Sequence, residues 1–289
     1  MPVYAFAAAR PTPARVVASL RQLSPAPMVL PRLQRLLTNP NSGLFKIIEL
    51  VRLDPALTAR VIQVSNSAWF GRGASCQTIE EAVNRVGFQQ IYRLVATAAA
   101  STVLEKSLST YRLDDKTVWR SAVACALAAE LLAAHVGEVV AEAYTIGLLH
   151  AVGRVAIDSY LRGRMPAVEM VDAGFPADYS VAERDQLGFS NAEVGACMLS
   201  NWEFGPVAVE AVRAQYEPLA ALLPYDRMAA VLYAARLLST VVCQCSDEQP
   251  VRAEVAVLEL LRLTETELLG FLPDLRAQLT KARQITATG

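Results

Sequence analysis

Histidine is scarce in this chain of 289 residues: there are two, His135 and His150. So few imidazoles leave little material for a histidine-rich metal centre. Aromatic residues are only 7% of the chain, while alanine and leucine dominate. That mix disfavours sheets and favours closely packed helices. No period-two strand stands out, and no hairpin turn between such strands. Charge of one sign is lacking too, with Lys+Arg 27 against Asp+Glu 28. A net charge of −1 gives no global field to attract nucleic acid or anionic lipid, so neither is expected as a partner. Long uninterrupted apolar runs are missing as well. "SAVACALAAELLAAHVGEVV" carries Glu130 and Glu138, and "RMAAVLYAARLLSTVVCQC" is cut by Arg236. Neither offers the roughly 18 unbroken apolar residues of a membrane span. The N-terminus is a poor signal peptide, and five cysteines make an odd number. Reduced thiols in a cytoplasm are therefore expected. There is no nucleophile elbow and no glycine-rich phosphate loop; "GRG" at 71–73 is too short for either.

What is present is a large apolar fraction, 53%, in a chain long enough to bury a real core. Helix punctuation is dense. "DPALTARVIQVSNS" places Asp54 as an N-cap and Pro55 at the first helical position. "TIEEAVNRVG" offers Thr78 and Glu81 as a capping box and Gly87 as a stop. "DDKTVWRSAVACALAAELLAAHVG" reads as one long helix closed by Gly137. The capping-box spacing recurs at Ser180 with Glu183, Ser190 with Glu193, and Thr264 with Glu267. The fold class is all-α, with about a dozen helices or more. Composition divides the chain into a proline-bearing tail leading into a first helix over 1–25, short helices over 26–110, a second group over 111–218, and C-terminal helices over 219–289. The polar "SDEQP", 246–250, links to a last pair of helices.

Several separated blocks resemble the HDOD family, the HD-related output domain of bacterial signalling proteins. They are "DPALTARVIQVSNSAWFG" with "IEEAVNRVG", then "WRSAVACALAAELLA", "GLLHAVGRV" and "GFSNAEVGACMLSNWEFGP". Their order and spacing agree with the family from about Leu30 to Tyr216. The resemblance implies a small N-terminal helical bundle packed on a degenerate HD-type helical domain, here with extra C-terminal helices. It also implies a signalling role through partners in trans, in two-component or cyclic-dinucleotide pathways, because members often sit beside such modules and this chain starts too near the domain to include a receiver.

Catalytic HD proteins gather imidazoles and carboxylates on one or two metal ions, which activate water and neutralise phosphate. Aligned with that pattern, the first histidine becomes Ser121 and the His-Asp doublet becomes His150-Ala151. A downstream histidine becomes Asn191, a His-His pair becomes Gln215-Tyr216, and the terminal aspartate becomes Ala235. Only His150 keeps a strong ligand side chain. His135 lies about 21 Å beyond Ser121 along the same expected helix, too far to substitute, and is read as a helix C-terminal residue. His150 is read as structural, bonded to a backbone carbonyl or to Asn191 or Gln215. Ala151 and Ala235 remove two carboxylates, and hence two buried negative charges that would be costly without a cation. No metal, cofactor or catalytic residue is therefore expected.

"CQC", Cys243 to Cys245, has no second ligand pair to complete a zinc site, and Cys76, Cys125 and Cys197 are read as small apolar fillers. "RLQRLL", 32–37, with Arg52, Arg60, Arg72 and Arg85, suits solvated helix faces, or else a docking face for an acidic partner or a phosphorylated ligand. In that second reading Asn66, Ser67, Trp69 and Phe70 form the candidate partner face; in the plainer one the aromatics close the core and Asn66 is a buried amide tying helix ends. Three functions stay open: a non-catalytic signalling protein, a phosphohydrolase or phosphodiesterase with atypical ligands, and a nucleotide or metabolite sensor using the emptied pocket.

Overall fold

The computed structural model describes residues 11–20, 29–38, 44–53, 58–59, 61–62, 65–66, 75–162, 176–243 and 253–287. The expected helix start at Asp54 and Pro55, the "GRG" turn, and Ser67, Trp69 and Phe70 lie outside the described residues, while residues 58–59, 61–62 and 65 of that helix are described and helical. Among those described, every regular element is helical, apart from one isolated antiparallel bridge between Leu108 and Leu113.

In the first group, α1 (Pro13–Ser19), α2 (Val29–Thr38), α3 (Leu44–Arg52), α4 (Ile79–Val86) and α5 (Phe88–Leu104) follow in order. Thr78 caps α4 by accepting from Glu81 N, while the Glu81 carboxylate takes the amide of Gln77 instead of Thr78. Gly87, at φ 84°, turns the chain directly into α5. The Asn66 side chain bridges to the Cys76 backbone through two bonds, 2.8 and 2.7 Å. The amide reading of Asn66 thus matches its geometry, on a half-buried residue. Arg52 pairs with Glu80 at 2.5 Å across α3 and α4, an ordinary surface ion pair.

The second group holds α6 (Asp115–Val136), α7 (Val140–Leu149), α8 (Val152–Leu161), α9 (Pro176–Leu187), α10 (Asn191–Asn201), α11 (Pro206–Arg213) and α12 (Asp226–Cys243). Asp114 caps α6 through Thr117 N, and Gly137 ends it in the left-handed region, as its position after the last periodic residue requires. Helix α6 is the axis of the core, packed on α7 along one side and α12 along the other. Helix α5 crosses onto α6 and α7 and joins the two groups. The joint has a polar seam: Arg93 Nε donates to Glu130 at 2.8 Å, Thr97 meets Tyr144 at 2.8 Å, and Tyr92 bonds Ala141 O at 2.9 Å. Helix α1, within the expected tail, packs on α10 and α8 with Val16 buried.

Three helices, not two, close the chain: α13 (Val255–Leu261), α14 (Glu265–Gly270) and α15 (Leu272–Ala287). The expected boxes form at Ser190–Glu193 and Thr264–Glu267. The one expected at Ser180–Glu183 does not. Both residues sit inside α9, and the Glu183 carboxylate is taken by other partners described below. Among the described residues two stretches, Asp115–Val136 and Val140–Leu161, are long and apolar enough to cross a membrane by length and composition, but their most apolar parts are 67% and 83% buried inside the fold, which is how core helices behave.

Candidate functional site

The HD-like positions converge where α7, α8, α10, α11 and α12 meet. His150 ends α7, and Ala151 begins the turn into α8. Glycines make the meeting tight. A Cβ on Gly147 would stand 2.8 Å from the α6 backbone at Cys125 and Ala126. One on Gly153 would stand 1.9 Å from Asn191 O. Helix α8 thus lies backbone to backbone against the start of α10, which fixes Asn191 beside the pocket.

His150 is buried, and its Nδ1 lies 2.7 Å from Gly147 O. A carbonyl only accepts, so Nδ1 carries the proton and Nε2 keeps the lone pair. Burial, with the guanidiniums of Arg154 and Arg236 nearby, holds the imidazole well below its usual range. The ring is therefore neutral. Gln215 Nε2 donates to His150 O at 3.2 Å. Asn191 and Tyr216 pair through Nδ2 and the tyrosine hydroxyl at 2.8 Å, with the hydroxyl 3.2 Å from Oδ1. Ala235 is fully buried on α12. Ser121 is half-buried on α6, and its hydroxyl takes no part in this network among the described residues. Of the expected pocket, then, His150, Asn191, Gln215 and Tyr216 come together as hydrogen-bonding groups.

Beyond the positions the sequence singled out, the site holds buried charge. Arg154, one turn after His150 on α8, is buried; so is Arg236, next to Ala235 on α12. Arg236 Nη1 donates to Gln215 O at 2.7 Å, and its guanidinium stacks on the Tyr216 ring, 4.0 Å from the centroid. Arg154 lies 5.6 Å from the Tyr179 ring. Glu183 is also buried. It accepts from Tyr111 at 2.6 Å and from the Asn191 amide and side chain at 2.5 and 2.7 Å. Burial raises its carboxyl above the usual range; the bonds from Tyr111 and Asn191 and the Arg154 charge work against that rise. Burial pushes the neighbouring Cys125 thiol up to about 12, so it packs as a neutral filler. Sequence reasoning passed over Arg154, Arg236, Glu183 and Tyr111. The available signal was an arginine four residues after His150, which helical spacing places on one face.

This donor set does not fit a divalent metal. Among the described residues no three His, Cys, Asp or Glu side chains gather as a ligand group. The one free imidazole lone pair stands beside two fixed cations, which would repel a third. His135 is remote: it is exposed in the last turn of α6, edge-on to Phe271 at 5.4 Å.

A family model for the HDOD domain matches residues 23–218. The chain belongs to the HDOD family. Among solved structures, this HDOD protein is similar to a candidate phosphohydrolase from Shewanella amazonensis SB2B, with 25% identity, a TM-score of 0.63, and 94% of this chain and 96% of that one covered. It is also similar to a candidate signal transduction protein from Marinobacter aquaeolei VT8, with 23% identity, a TM-score of 0.68, and 92% and 59% covered. An HDOD domain protein of unknown function from Geobacter sulfurreducens shares the fold at 20% identity and a TM-score of 0.65, with 92% and 96% covered. A curated relative, an uncharacterised protein of Treponema pallidum (strain Nichols), is 27% identical over 215 residues. That match takes in 70% of this chain but only 41% of the relative's length.

Proposed function

We propose that this HDOD protein acts by binding and not by catalysis, as a regulatory component of signal transduction in the bacterial cytoplasm. One observation carries the reading: two buried guanidiniums flank His150 where a hydrolase of this fold needs its cation. A guanidinium supplies charge but cannot ionise water as a metal does. The neutral His150 ring is bound through Nδ1 to Gly147 O, and no described carboxylate completes a ligand set with it. A protein partner in trans follows from the family's signalling role. The likeness to the Marinobacter protein supports it at the level of the fold, while the Shewanella neighbour keeps hydrolysis as the competing reading.

The test is direct. The purified protein, loaded in turn with manganese, iron(II) and zinc, is assayed on p-nitrophenyl phosphate, nucleotides and cyclic dinucleotides. We expect turnover at the level of the protein-free blank, unchanged by His150→Ala. Metal-dependent turnover that His150→Ala abolishes would return the protein to the hydrolases. Normal signalling in a deletion strain, with no specific partner recovered from the wild type, would remove the signalling half of the proposal.

A further inference from the structure

Arg154 and Arg236 are 5% and 6% exposed, and no ion pair neutralises either among the described residues. The carboxylate near Arg154, Glu183, already accepts three hydrogen bonds from Tyr111 and Asn191. Other buried carboxylates nearby are engaged elsewhere: Asp158 by Arg162 and the Thr110 amide, and Glu210 by Arg213 and the Leu222 amide. The cluster therefore holds two cations and one anion. Arg154 Nε and Nη2 and Arg236 Nε are buried without an acceptor. Gln215 Oε1 is buried without a donor. Such orphans are costly, and native proteins satisfy nearly all of them. These open atoms belong to one network: Arg236 bonds Gln215 O, Gln215 bonds His150 O, and Arg154 lies within electrostatic range of His150.

We propose that this buried polar cluster binds a small oxyanion of the phosphate class, with Arg154 and Arg236 as donors and Gln215 Oε1 and the His150 Nε2 lone pair as acceptors. The fold that holds a cation in its enzymes would here present cations to an anion. Acceptors beside the donors select the ligand. A hydrogen phosphate ion carries an O–H at neutral pH and can both accept and donate. Sulfate carries the same double charge without a proton to give, and a carboxylate offers neither the proton nor a third oxygen. Tyr216 and Tyr179, each half-buried and set against one of the two guanidiniums, carry the cluster to the surface. The inference deepens the binding reading above and rests on its premise that no metal sits among these residues.

The whole chain is titrated calorimetrically with inorganic phosphate, sulfate and AMP. We expect one saturable phosphate site, with sulfate weaker by roughly tenfold or more, the scale of one charge-assisted hydrogen bond. Arg154→Met should weaken phosphate by at least that factor while keeping a cooperative melt. The phosphomonoester of AMP is largely a dianion with no phosphate proton to give at neutral pH, so AMP weaker than phosphate is expected, and AMP binding more tightly would overturn the selection of hydrogen phosphate. The wild-type comparison of phosphate with sulfate stands even if the variant does not fold. No saturable binding at millimolar phosphate, equal affinity for sulfate, or binding untouched in folded Arg154→Met would overturn the proposal. Release of phosphate from AMP would instead overturn the non-catalytic reading and leave the anion site standing.

Discussion

At His150 a single ring carries a measurable signature. Its folded-state pKa lies well below 6.5, through burial first and the two guanidiniums second. Below about pH 6.5 the unfolded chain gains a proton on this residue that the native state refuses, so stability falls as pH drops, by up to about 1.4 kcal/mol per pH unit. Above that value its contribution is flat. His150→Asn should remove this slope, and the difference between the two proteins in urea unfolding at a series of pH values isolates the residue from every other titrating group. Identical slopes would mean the ring is already protonated when folded. Asn66→Ala tests a second residue, one whose side chain ties the backbone at Cys76. It leaves the Cys76 N–H and C=O without their partners and should cost about 1–3 kcal/mol by the same unfolding measurement. Ser121, Asn191, Gln215 and Tyr216 could be aligned with the ligand positions of catalytic HD proteins because the family pattern puts each at a fixed place. Arg154 and Arg236 could not be read that way. A charge inside an apolar helix registers as an interruption, and nothing in one sequence says whether it faces water or a pocket. Glu183, three residues after Ser180, imitated a capping box so well that its true donors, Tyr111 and Asn191 on other elements, stayed hidden.

Helix ends were the most legible elements, because their rules are local. Gly137 at φ 79° and the boxes at Ser190–Glu193 and Thr264–Glu267 need only neighbours in sequence to form. Crossings between helices depend on partners far along the chain, and there the sequence is mute. Gly153 is the clearest case: it sits inside α8, where helix propensity alone would prefer alanine by roughly 1 kcal/mol. The structure reverses that preference, because an added Cβ would collide with Asn191 O and C at 1.9 and 2.8 Å. Backbone cannot step aside cheaply, so Gly153→Ala must push α8 away from α10 and should cost about 3 kcal/mol or more. Gly195→Ala, on the facing helix, is the control. Its Cβ would crowd the Val212 Cγ1 methyl at 3.0 Å, a side chain that can turn, and meet the Gly153 backbone at ordinary contact distances of 3.5 and 3.8 Å, so a loss of about 1 kcal/mol or less is expected. Thermal unfolding of the two variants side by side checks the order. A Gly153→Ala protein as stable as the wild type would mean that α8 and α10 do not touch as described.

Across the whole molecule, the boundary drawn at residue 218 follows the end of the family pattern but does not follow the packing. The HDOD match stops at 218, yet α12 lies along α6 in the middle of the core and delivers Ala235 and Arg236 to the pocket. What comes after α12 is also bound in. Helices α13 and α15 pack on α12, and α15 packs on α6. Val257, Leu258, Leu261, Leu268, Leu275 and Leu279 are all buried against the chain's own core. Arg227, at the start of α12, pairs with Glu138 at 2.9 Å and donates to Leu260 O and Val136 O, stitching α13 to the end of α6. Each of those buried aliphatic side chains contributes on the order of 2 kcal/mol of transfer free energy, and a typical domain is stable by only about 5–15 kcal/mol. A chain ending at Pro250 therefore uncovers more than its margin. We expect it to lose cooperative unfolding in calorimetry and to aggregate on size-exclusion chromatography, although it retains every residue of the family match and of the pocket. A sharp transition at the wild-type midpoint would instead make α13–α15 an appendage, free to serve another surface. Because α12 lies between these helices and the pocket, anything that loosened them would reach Arg236 through the one helix they share.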